Sequence, residues 1–108
     1  MGARNGMYLV QLLIPLYDNE GRVFDKSMLD RVRNELTERF GGVTAYRRSP
    51  AEGLWQEDGG QVTRDEVVIY EVLTEELDRA HWKLYGEELA GRFHQQEMMM
   101  RAIPAERL

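Results

Sequence analysis

The chain has 108 residues, 43% hydrophobic and 31% charged, the proportions of an ordinary folded domain with room for one hydrophobic core. Its 14 Lys and Arg against 19 Asp and Glu leave a net charge of -5. A field of that sign repels a phosphate backbone and no basic stripe offsets it, so nucleic acid is excluded as an expected partner. There is no cysteine, which removes disulfides, thiolate nucleophiles and Cys-based metal sites, and suits a reducing compartment.

Met1 to Gly6 carries Arg4 as its one charge and has no apolar segment of the secretory type. The longest strongly apolar stretch, Tyr8 to Leu16, contains Gln11 and Pro15 and falls far short of the roughly 20 residues of a membrane helix. The expectation is therefore a cytoplasmic protein without membrane contact, folded as a single domain over residues 1–108.

Met7 to Leu16 reads as a strand buried on both faces, with Tyr8, Val10, Leu12 and Ile14 on one side and Met7, Leu9, Gln11 and Leu13 on the other. Asp18 to Gly21 is a turn cluster, after which Asp25 or Ser27 can cap a helix, Ser27 and Asp30 having the spacing of a capping box. Met28, Leu29, Val32, Leu36 and Phe40 form the apolar stripe of that helix, and Gly41 with Gly42 stops it. Val43 to Arg48 is a short β-prone run. Pro50 is expected at a sheet edge, and the stretch from Glu57 to Arg64 as a hairpin connection.

Glu66 to Leu73 is the clearest strand. Thr74 is expected to cap a second helix from Leu77 to about His94, with Leu77, Trp82, Leu84, Tyr85, Leu89 and Phe93 on its apolar face. Gln95 onward supplies a last strand through Met98, Met99, Met100 and Ile103, closed by Pro104. Two strand–helix–strand units joined by a hairpin predict an α+β, ferredoxin-like βαββαβ sandwich: a four-stranded antiparallel sheet of order 4-1-3-2 with both helices on one face.

Two helices cover one face of such a sheet, yet the central strands are apolar on both. A second copy of the chain, packed sheet to sheet about a two-fold axis, is the expected cover. The alternative occupants are a small apolar ligand or a different protein. The βαββαβ order, the doubly apolar central strands and the small size resemble the dimeric α+β barrel superfamily, in which two such sheets close around an internal pocket. That group includes small monooxygenases, haem-degrading enzymes, isomerases and proteins of unassigned role. The segments FGGVTAY and GLW resemble a small uncharacterised ferredoxin-like family more than any enzyme.

Gln11 and Glu71 interrupt the middle of the two central strands on the face opposite the helices. A buried polar group needs a partner. Glu71 therefore either pairs with Arg47, Arg48 or Arg101 on neighbouring strands, or serves as a general base or ligand anchor. Arg47 and Arg48 next to Tyr46, with Trp55 a few residues on, form a candidate subsite for an anion or an aromatic ligand, against a purely protective role for the charges on an edge strand. His81 falls within the apolar stripe of the second helix, where a proton-shuttling or haem-ligating role competes with a place in the core or at its rim. His94 points elsewhere, so no two-His metal site is expected, and no cofactor. Neither serine has a nucleophile-elbow context and no glycine-rich phosphate loop follows a strand. The expected function is that of a small protein homodimerising through its sheet without a recognisable catalytic motif. Its alternatives are a cofactor-independent monooxygenase-like or isomerase-like enzyme acting on a small apolar molecule, and a small-molecule sensing module.

Overall fold

The computed structural model describes residues 6–48 and 66–108. In chain order these form β1 (Gly6–Pro15), α1 (Lys26–Phe40), β2 (Thr44–Arg48), β3 (Val67–Thr74), α2 (Arg79–Arg92) and β4 (Met99–Glu106). The sheet is antiparallel throughout, with order β2-β3-β1-β4, the predicted order read from the opposite edge. The expectations placed on Pro50 and on Glu57 to Arg64 fall outside the described residues.

The period-two alternation of β1 and β3 decides which side chains enter the core. Val10, Leu12 and Ile14 of β1 join Val68, Tyr70 and Val72 of β3 in one buried cluster with Val32 and Leu36 of α1 and Trp82 and Leu89 of α2. Phe24 and Phe93 meet edge to face at 5.1 Å, and Phe40 stacks on Trp82 at 5.0 Å, so the aromatic side chains bind the helical layer together as well as to the sheet. The Tyr70 hydroxyl donates to the Leu29 carbonyl oxygen at 2.9 Å, a polar anchor between β3 and α1. Gly41 ends α1 at φ 81°, a left-handed conformation that glycine takes without strain, and its N–H donates to the Thr37 carbonyl.

The boundaries of α1 follow the sequence expectation, and those of α2 differ from it. Asp25 occupies the N-cap position of α1 without a side-chain capping bond, and Asp18 uses its carboxylate instead to accept from the N–H groups of Glu20 and Arg22, closing the preceding turn. Thr74 does not cap α2. It ends β3 with its Oγ1 buried and unpartnered among the described residues, while Asp78 Oδ1 accepts from the His81 N–H at 3.0 Å and α2 starts at Arg79. Leu84 is 67% exposed; the buried line of α2 runs through Trp82, Leu89 and Ala90, so Leu84 lies outside the apolar face assigned to it. Pro104 lies inside β4 instead of closing it. An edge strand tolerates proline because the missing N–H can face solvent.

A polar clamp joins the two helices. Arg92 donates from both terminal nitrogens to the two Glu35 carboxylate oxygens, at 2.7 and 2.8 Å, and the Tyr85 hydroxyl donates to Glu35 Oε1 at 2.8 Å. Glu88, one turn before Arg92, takes a further bond from it. The Arg92 guanidinium holds the Glu35 carboxyl below its ordinary value of 4.5, against a smaller upward pull from burial and with help from the Tyr85 hydroxyl.

Two outcomes follow from this packing. Leu12→Ala, at a fully buried position of the central strand, should cost about 2–5 kcal/mol, whereas Leu84→Ala should change stability by no more than about 0.5 kcal/mol. Urea unfolding midpoints of the two variants check the burial assigned to each face. The second outcome concerns pH. Because the folded-state pKa of Glu35 is depressed, its contribution is present above the unfolded value near 4.5 and is lost as pH falls through the lower folded value. Glu35→Gln should therefore destabilise the protein by about 1 kcal/mol at neutral pH and flatten the acid limb of the stability profile, measured by urea titrations between pH 3 and 7.

Candidate functional site

The helix-free face is built from alternate residues of four strands, and the pairing register aligns them in rows. Leu9 lies between Leu73 and Ile103, Gln11 between Glu71 and Arg101, and Leu13 between Ile69 and Met99. On the far side of β3, Thr44 pairs with Glu71 and Tyr46 with Ile69, so Tyr46 belongs to the same face. An apolar row thus lies on each side of one polar row.

The polar row is a continuous hydrogen-bonded chain across four strands. Arg101 Nε donates to Gln11 Oε1 at 2.6 Å, Gln11 Nε2 donates to Glu71 Oε2 at 2.6 Å, and the Tyr46 hydroxyl donates to the same Glu71 oxygen at 2.8 Å. The Gln11 amide is thereby fixed in orientation, with its oxygen toward the cation and its nitrogen toward the anion; reversing it would set donor against donor. Gln11 is only 7% exposed, so the chain satisfies a polar group that would otherwise be costly in the middle of a strand. The bond to Glu71 raises the Tyr46 pKa, because ionising the phenol would remove the donated proton and set two anions together.

Four residues singled out from sequence, Gln11, Glu71, Tyr46 and Arg101, therefore meet on one face. The partner expected for Glu71 is corrected: its described bonds run to Gln11 and Tyr46, and Arg101 reaches Gln11 instead, since β1 separates β4 from β3. Arg47 pairs with Val68, which places it on the helix side of the sheet, away from the polar row. Trp55 lies outside the described residues.

His81 lies on the other side of the sheet, in the first turn of α2, stacked on Tyr85 at 5.9 Å and edge-on to Trp82 at 5.1 Å. Burial, then the charge of Arg39, holds its pKa below the ordinary value of 6.5. It and Glu71 do not form one site. Among the described residues no three His, Asp or Glu side chains converge as a metal site would require, and no helix is long and apolar enough to cross a membrane. A cavity of about 460 Å³ opens on the helix side, between α2 and the approach to β4, lined by Trp82, Lys83, Glu87, Glu97, Met98 and Met100.

No family model and no curated protein matches the sequence. Among solved structures the chain is similar to a phage SAM lyase in complex with S-methyl-5'-thioadenosine, with a TM-score of 0.54 over 99% of this chain and 94% of that one, at 13% identity. At that identity the likeness concerns the fold.

The hydrogen bond between Tyr46 and Glu71 has a direct spectroscopic consequence. In protein labelled with 13C at the tyrosine ζ carbon, Tyr46 should titrate above its ordinary value of 10.0, and Glu71→Gln should bring it back toward that value. An unchanged Tyr46 titration in the variant would remove Glu71 as the cause.

Proposed function

We propose that the protein is a self-associating domain whose helix-free sheet face, centred on the polar row, is covered by a second copy of the chain. One observation carries this reading: on that face Leu73, Met99 and Ile103 are 53%, 57% and 42% exposed, beside the half-buried Leu9 and Leu13. An apolar surface continuous across three strands marks an interaction site in a protein of this size. A row of satisfied polar groups within it suits an interface that must choose one register.

Ile69 is already 1% exposed within the chain, so a charge placed there would test folding and association together. Leu73 separates them. The parent should sediment as a dimer at micromolar concentration, and Leu73→Asp should sediment as a folded monomer, because an unpaired carboxylate is tolerated in water but not in an apolar interface. A monomeric parent, or a Leu73→Asp variant that remains dimeric, would rule the reading out.

A second reading is that the same face holds a small molecule of the methylthioadenosine kind. What favours it is the fold likeness to the phage SAM lyase bound to S-methyl-5'-thioadenosine. The row also offers suitable groups: the Glu71 carboxylate to accept from ribose hydroxyls or an amino group, and the Arg101 guanidinium to hold a carboxylate. Calorimetric titration of the parent with S-methyl-5'-thioadenosine and with SAM is the test. Binding that weakens at least about tenfold in Glu71→Gln, with the fold intact, is the expected result, a loss of roughly 1.4 kcal/mol.

A further inference from the structure

The three rows on the helix-free face constrain how two copies can meet. Each row is centred on β1, with one residue from β3 and one from β4 at its sides: Leu73–Leu9–Ile103, Glu71–Gln11–Arg101 and Ile69–Leu13–Met99. The outer rows are apolar on both sides. The middle row is charge-asymmetric, with a carboxylate on β3 and a guanidinium on β4, held apart by the width of β1, two strand spacings or about 10 Å. Among the described residues neither ion is neutralised by an oppositely charged side chain; both terminate on the neutral Gln11 amide.

Two sheets can face one another about a two-fold axis lying between them either along the strands or across them. An axis running across the strands carries each strand onto itself, so Glu71 would oppose Glu71 of the partner subunit and Arg101 would oppose Arg101 of the partner subunit. Desolvating like charges against each other costs several kcal/mol. An axis running along β1 exchanges the positions of β3 and β4. The two rows with accessible side chains on both flanks then become self-complementary: Glu71 opposes Arg101 of the partner subunit and Leu73 opposes Ile103 of the partner subunit, while Ile69, 1% exposed within its own chain, makes no contact of this kind. This second arrangement is the aligned packing of a β-sandwich, with strands of the two sheets within about 30° of each other.

We propose that two copies of the chain pack sheet to sheet about an axis along β1, so that each Glu71 site is completed by the guanidinium of Arg101 from the partner subunit. The proposal rests on the self-association put forward above and adds its symmetry and its ion pairs. Each interface contains two such pairs, related by the axis. Each carboxylate then has a phenol and an amide from its own chain and a cation from the other.

Charge exchange tests the axis. Glu71→Arg and Arg101→Glu each set like charges opposite one another in a homodimer, so each alone should weaken association about 100-fold or more. Mixed in equal amounts they should form a heterodimer, because both of its pairs are then of opposite sign; the double variant Glu71→Arg/Arg101→Glu should again form a homodimer. A second pair of substitutions sits at exposed positions that folding does not depend on: Leu73→Lys and Ile103→Glu should each be monomeric and should associate with each other at least about tenfold more tightly than either does with itself. Circular dichroism establishes that every variant is folded, and sedimentation velocity reads the association. A dimeric parent whose Leu73→Lys and Ile103→Glu variants show no preference for each other overturns the axis while leaving self-association standing. A monomeric parent overturns both.

Discussion

Two helices cannot cover both sides of a four-stranded sheet, and every other feature of this protein follows from that mismatch. Both crossovers lie on one side, so β1 and β3 bury one set of alternate residues under α1 and α2 and turn the other set to the helix-free face, where Met7, Gln11 and Ile69 are buried and Leu73 is exposed. If that outward set were wholly polar, the sheet would be complete as a monomer. It is instead apolar except where the row of Gln11, Glu71 and Arg101 crosses the sheet, and this combination is what the proposed self-association rests on.

The polar row shows how a charged group is kept in such a place. Among the described residues no cation pairs with Glu71, which is instead solvated by a phenol and an amide, each at hydrogen-bond distance. Arg101 is tied to the same amide from the other side. Gln11 is the hinge of the arrangement, since a primary amide can accept from a cation and donate to an anion at the same time. A valine in its place would suit strand propensity and leave both ions without that link.

On the helix side, polar chemistry serves cohesion. The Glu35, Tyr85 and Arg92 cluster joins α1 to α2 with a bidentate bond of defined direction, and the aromatic contacts of Phe24, Phe40, Trp82 and Phe93 supply the apolar area around it. His81 belongs to this layer, as a rim residue stacked among rings. The two sides of the sheet thus differ in kind: one holds the chain together, and the other carries the polar row between exposed apolar side chains.

Local sequence was enough for the order of elements, the sheet order and the two faces of β1 and β3, because alternation with period two and stripes with period 3.6 are properties of neighbouring residues. It was also enough to mark Gln11 and Glu71, since a polar residue inside an apolar alternation is visible without any coordinates. It could not join them into one site. Gln11 and Glu71 are 60 positions apart, and Arg101 is a further 30 from Glu71; only the pairing register decides that all three share a row. The same dependence put Arg47 on the wrong side of the sheet for the site, because one residue along a strand reverses the face. It also hid the clamp between Glu35 and Arg92, whose partners lie on different helices. The N-cap of α2 and the place of Pro104 differ from the sequence expectation for a related reason: strand and helix ends are decided by which backbone groups find partners in the tertiary structure, and composition alone does not report that.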